Sequence, residues 1–145
     1  MTSSPTPGPT PGPTPLPTTF NDIMDFDRLE LCVSTGGPTC VVTRNITFQS
    51  TLTITGVAVT IMSTDSVGLS GNGTKPLFMV EHGAKVTLSG LNLKSGSGTD
   101  GGCVSVKHAN LTVRDSSFES CSASNDGGGI YGASSTIDTH HVTFE

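Results

Sequence analysis

Downstream of about residue 50, apolar and polar side chains alternate in short runs, and the runs return at a fixed distance. The stretches LFMVEHGAKVTLSGLNLKSG from Leu77, CVSVKHANLTVRDSSFESC from Cys103 and GIYGASSTIDTHHVTFE from Gly129 lie over one another. Phe78, Val104 and Ile130 stand 26 residues apart; Val86, Leu111 and Ile137 follow at steps of 25 and 26, and Leu93, Phe118 and Phe144 repeat those steps. A period in this range marks a repeat architecture in which one unit cannot bury its apolar side alone. Stacked at roughly the 4.8 Å spacing of neighbouring strands, the units form parallel sheets around a narrow core. Val104, Val106, Leu111 and Val113 are expected to face inward, with Ser105, Lys107, Thr112 and Arg114 outside. Gly83, Gly90, Gly101, Gly102 and Gly127 to Gly129 fit sharp corners. No helical period competes.

The expectation is therefore an all-β chain, a single-stranded parallel solenoid with three short strands per coil of about 25 residues. Upstream the pattern continues as Leu52 and Ile54, Val59 and Ile61, then Val67 or Leu69, and residues 40–48 complete a partial first coil. Before it, FNDIMDFDRLELCV places Phe20, Ile23, Met24, Phe26 and Leu29 on a short amphipathic element, with Asn21 or Asp22 as its N-cap. Residues 20–39 are read as a cap over the open core edge. At the other end the solenoid, 20–145, is expected to stop uncapped in the third strand of a coil, as a truncated solenoid does.

Composition separates a first segment from the rest. Residues 1–19 hold seven of the nine prolines and almost no apolar side chains, which suits an extended, disordered linker or stalk. Its Pro/Thr content also suits O-glycosylation. The net charge of −5 with only 7 Lys and Arg, all scattered, excludes a nucleic-acid binder. No apolar run is long enough to span a bilayer, and no signal peptide is visible after Met1.

The pairing of GGCV with SSFESC, and of GGGIYG with VTFE, resembles the GGA-I plus F-x-x-N repeats of polymorphic outer membrane proteins, with Cys103 after the glycine pair and Cys121 at the Asn position. Over residues 50 to 145 the chain resembles a right-handed parallel β-helix of the pectin-lyase-like group. That resemblance implies a secreted or cell-surface protein and brings carbohydrate-active enzymes into consideration.

Candidate chemistry is sparse. Asn45, Asn72 and Asn110 each open an N-x-Thr sequon for N-glycosylation. Cys32 and Cys40 flank a loop short enough for a disulfide. Cys103 and Cys121 meet only if the first and third strands of a coil converge; otherwise both are small buried hydrophobes. Neither Cys-x-x-Cys nor a matching His spacing marks a zinc site. Stacking puts Asp100 and Asp126 in one column, a weak calcium pair and the only hint of a cofactor; aspartates before glycines are more often turn formers. Arg114 and Asp115, with His140 and His141 one coil later, form the best catalytic candidate, against the plainer reading of a solvated mixed-charge face. The leading expectation is a secreted or cell-surface module, non-catalytic, that binds a glycan or a surface partner in adhesion. The first alternative is a fragment of a polysaccharide lyase or epimerase acting on acidic polysaccharide, and the second is a structural wall or coat scaffold.

Overall fold

The computed structural model describes residues 19–34 and 39–145; the Pro/Thr-rich segment 1–18 lies outside them. A strand β1 (Thr19–Ile23) and a helix α1 (Phe26–Ser34) precede β2 (Thr39–Val42) and β3 (Ile46–Thr47). The coils follow as β4 (Leu52–Thr55) and β5 (Ala58–Ser70), then β6 (Phe78–Glu81), β7 (Lys85–Lys94) and β8 (Ser97–Asp100). Next come β9 (Val104–Lys107), β10 (Asn110–Glu119) and β11 (Ser122–Asp126), and last β12 (Ile130–Ala133) and β13 (Thr136–Phe144). All pair in parallel. One sheet runs β1-β2-β5-β7-β10-β13 with β3 also on β5; a second runs β4-β6-β9-β12; β8 and β11 form a pair of their own. The chain is a β-solenoid of about four turns.

The anchors stack as their spacing requires. Leu52, Phe78, Val104 and Ile130 are register partners in successive coils. Val59, Val86, Leu111 and Ile137 form the next column, and Leu69, Leu93, Phe118 and Phe144 the third. Most are buried to within a few per cent, which removes from water the apolar area that drives the fold. Ile130 and Ile137 are half-buried, and Phe144 is 53% exposed although its ring stacks on Phe118 at 5.0 Å.

The coils differ from expectation in how their strands join. The second and third strands of each coil are one continuous, bent strand. A single left-handed residue makes the bend: Ser66 (φ 54°), Gly90 (φ 69°), Asp115 (φ 49°) or His141 (φ 55°). One such residue turns the chain, and the hydrogen-bond ladder resumes at once on the far side. The alternation of 25- and 26-residue steps has an equally local cause. Glu81 pairs with Lys107 and Lys85 with Asn110, so the 78–94 coil carries one extra residue at its first corner, where Gly83 takes φ 82°.

The cap holds by aromatic packing. Phe26 meets Phe48 at 5.1 Å, and Phe48 meets Phe78 at 5.4 Å, so rings lead from α1 into the first coils. Asp25 is the N-cap, its Oδ1 accepting the Arg28 N–H at 2.9 Å. The expected N-cap Asp22 instead accepts from Thr43 Oγ1 at 2.7 Å, because β1 keeps residues 19–23 extended and delays the helix. Met24 is 44% exposed and does not join the core. The side chains of Phe20 and Asn21 lie outside the described residues.

Candidate functional site

The outer face of the β4-β6-β9-β12 sheet presents two rows across the coils. One is Thr53, Met79, Ser105, Tyr131 and the other Thr55, Glu81, Lys107, Ala133. This face is not flat. The segment that leaves β7 does not turn straight into β9; it detours through β8, which pairs with β11 one coil later. The two form a small flap along the sheet. Ser105, expected on the surface, is only 4% exposed.

Between flap and sheet lies a groove of about 400 Å³, within the roughly 300–1,000 Å³ typical of ligand sites. Pro76 and Met79 give it an apolar floor; Thr74, Ser97, Thr99 and Ser105 supply hydroxyls, and Asp100 and Lys107 supply charge. Asp100 is held in place, its Oδ1 accepting from Asn125 Nδ2 at 2.8 Å. Lys107 makes no ion pair among the described residues; its register partner Glu81 lies 3.8 Å from His82 Nε2.

The flap is anchored by a disulfide. Cys103–Cys121 forms with Cα atoms 5.4 Å apart, joining the residue before β9 to the residue before β11. Gly96, just before β8, packs so closely that a methyl there would come within 2.7 Å of Cys103 Sγ. Gly98 is pinned likewise, 2.6 Å from the Gly101 carbonyl oxygen when given a Cβ. The other pair, Cys32–Cys40, also forms, with Cα atoms 6.1 Å apart, and ties α1 to β2. Two disulfides in so small a fold suit an oxidising, extracellular type of environment. Among the described residues no helix is long and apolar enough to cross a membrane.

Of the site candidates read from the sequence, Asp100 lines this groove; the catalytic candidates and the sequon asparagines fall elsewhere. Arg114 is in register with His140, and His141 Nδ1 lies 3.3 Å from Asp115 Oδ1, so all four meet at one corner. The His141 and Asp115 side chains are 88% and 67% exposed. All four residues are exposed, so the cluster projects into solvent. Asp100 and Asp126 are register partners on the flap; among the described residues, no three His, Cys, Asp or Glu side chains converge as metal ligands would. Asn45, Asn72 and Asn110 are all exposed.

The sequence did not point to the groove. Ser105 and Lys107 read as ordinary outward positions, and Asp100 before its glycine as a turn former or half of a calcium pair. Only the flap's lateral pairing makes them one site. No protein-family model matches the chain, nor does any curated protein or solved structure.

Proposed function

We propose that this chain is a secreted or cell-surface display module that binds a glycan in the groove between flap and sheet without turning it over. The groove itself carries this reading. An apolar floor suits the hydrophobic face of a sugar ring, the surrounding hydroxyls match its polar edge, and the Lys107 ammonium has no ion-pair partner among the described residues. The rigid parallel stack holds these groups in place before any ligand arrives, which lowers the ordering cost of binding. Both disulfides and the resemblance of the repeats to pectin-lyase-like β-helices agree with life outside the cell.

The test is titration calorimetry with neutral and uronate oligosaccharides. Lys107→Ala removes a charge-assisted contact worth about 1.5–3 kcal/mol and should weaken binding tenfold or more. Met79→Asp should abolish it, and Arg114→Ala should leave it unchanged. The second reading, a polysaccharide lyase or epimerase, draws on the meeting of Arg114, Asp115, His140 and His141. Unsaturated product formed from polyuronate with calcium, and lost in Arg114→Ala, would replace the first reading with the second.

A further inference from the structure

The asparagines whose side chains are described divide into two kinds by what their amide nitrogens do. Asn92 Nδ2 donates to Glu119 Oε1 at 3.5 Å, and Asn125 Nδ2 donates to Asp100 Oδ1 at 2.8 Å. Neither belongs to a sequon. The three that do, Asn45, Asn72 and Asn110, are exposed, and none of their amide nitrogens donates a hydrogen bond among the described residues. At Asn45 the carbonyl side is fixed instead: Oδ1 accepts the Gly68 N–H at 2.7 Å, which leaves Nδ2 uncommitted among the described residues. Asn72 stands in a tight turn at φ 58°. Asn110 opens β10, and Thr112 of its sequon follows two residues on along the same outer face, as the strand period requires.

Asn110 is distinguished by what surrounds it. It borders a notch of about 400 Å³ made by Gly83, His108, Ser134, Ser135 and Thr136. The notch lies at the corner where the extra residue at Gly83 swells one coil beyond the next. Its side chains are small and hydroxyl-rich, with His108 as the one ring, a lining suited to a sugar and ill suited to an apolar ligand.

We propose that Asn45, Asn72 and Asn110 carry N-linked glycans and that the first sugar on Asn110 is seated in this notch. The transfer takes a lipid-linked pyrophosphoryl oligosaccharide as donor. Nδ2 forms a bond to sugar C1, the bond from C1 to the diphosphate oxygen breaks, and the diphosphate leaves with the electron pair while the amide loses one proton. The outward positions of the β4-β6-β9-β12 sheet include no sequon residue, and the groove meets a sequon only at Thr74, so the Asn45 and Asn110 glycans lie away from the groove and the Asn72 glycan stands at the turn beside its rim.

The experiment sends the full chain through the secretory pathway of a eukaryotic cell with an added leader. Site occupancy is read by mass spectrometry after peptide-N-glycosidase converts each glycosylated Asn to Asp. The expected result is occupancy at all three sites in oxidised protein, with Asn110→Gln and Thr112→Ala each removing one glycan. In native protein the Asn72 glycan is released quickly, and the Asn110 glycan at least tenfold more slowly than after denaturation. Absence of a glycan from any of the three asparagines in secreted, disulfide-bonded protein overturns the assignment. Equal native and denatured release at Asn110 overturns the seating.

Discussion

Gly90→Ala is the substitution that most sharply tests how the corners are built. The left-handed backbone at this corner does not by itself demand glycine, since Ser66, Asp115 and His141 adopt it with φ of 54°, 49° and 55°. Each of them bears a cost of roughly 1–2 kcal/mol for doing so. What sets Gly90 apart is its neighbour. The coil of β5 holds three more residues here than the next, because Met62 pairs with Ser89 but Val67 with Leu91. The resulting bulge pushes the Ser63 carbonyl toward Gly90, and a Cβ at Gly90 would overlap that oxygen. A backbone carbonyl cannot swing aside as a side chain does, so an overpacking cost of about 1–3 kcal/mol is added, for a total of roughly 2–5 kcal/mol. At this chain length each kcal/mol moves Tm by about 3–5 °C, so melting followed by circular dichroism should show a drop on the order of 10 °C. The matched control, Asp115→Gly, relieves strain at the same corner of another coil, offset by about 0.5–1 kcal/mol of glycine entropy, and should change stability little. If Gly90→Ala melts within about 2 °C of the parent, or if Asp115→Gly is the more damaging of the two, the bulge does not constrain the corner.

Further outcomes follow from the same geometry. Val113→Asp puts a charge into a fully buried position and should prevent folding, whereas Thr112→Asp, half-exposed beside it, should leave the circular dichroism spectrum intact; equal behaviour would mean the inward register is wrong. Replacing Cys103 and Cys121 by Ser opens a loop of separation 18 and should cost about 3 kcal/mol in urea denaturation. It should also loosen the flap, so ligand affinity at the groove should fall further than in a Cys32→Ser, Cys40→Ser protein.

The core was legible because inward columns leave a periodic trace. Phe78, Val104 and Ile130 are a column in the sequence before they are one in space, and Leu93 and Phe118 follow for the same reason. The bent strands were not legible: the corner residue is Gly in one coil and Ser, Asp or His in the others, so composition does not mark it. The helix cap fell at Asp25 and not at Asn21 or Asp22 because β1 pairs with β2 across some 20 residues, a partnership no local propensity records. Cys103 and Cys121 were readable as a pair only on the condition that strand ends converge, which they do. The groove as such was not legible, although Asp100 in its wall was singled out, since β8 is short and polar and its role comes wholly from lying beside a neighbour.

Both disulfides close loops within the cap or a single coil, and neither rivets one coil to the next. Tension applied along the axis would therefore meet hydrogen-bond ladders and stacked apolar columns but no covalent tie between coils, and these give way rung by rung as coils peel off. At Cys103–Cys121 the peeling chain would yield less length than its residue count allows, because a separation of 18 residues, roughly 60 Å at 3.3–3.6 Å each, stays locked behind the covalent link. Reducing agent would release that reserve, making the extension of a stretched molecule a direct gauge of the redox state around it.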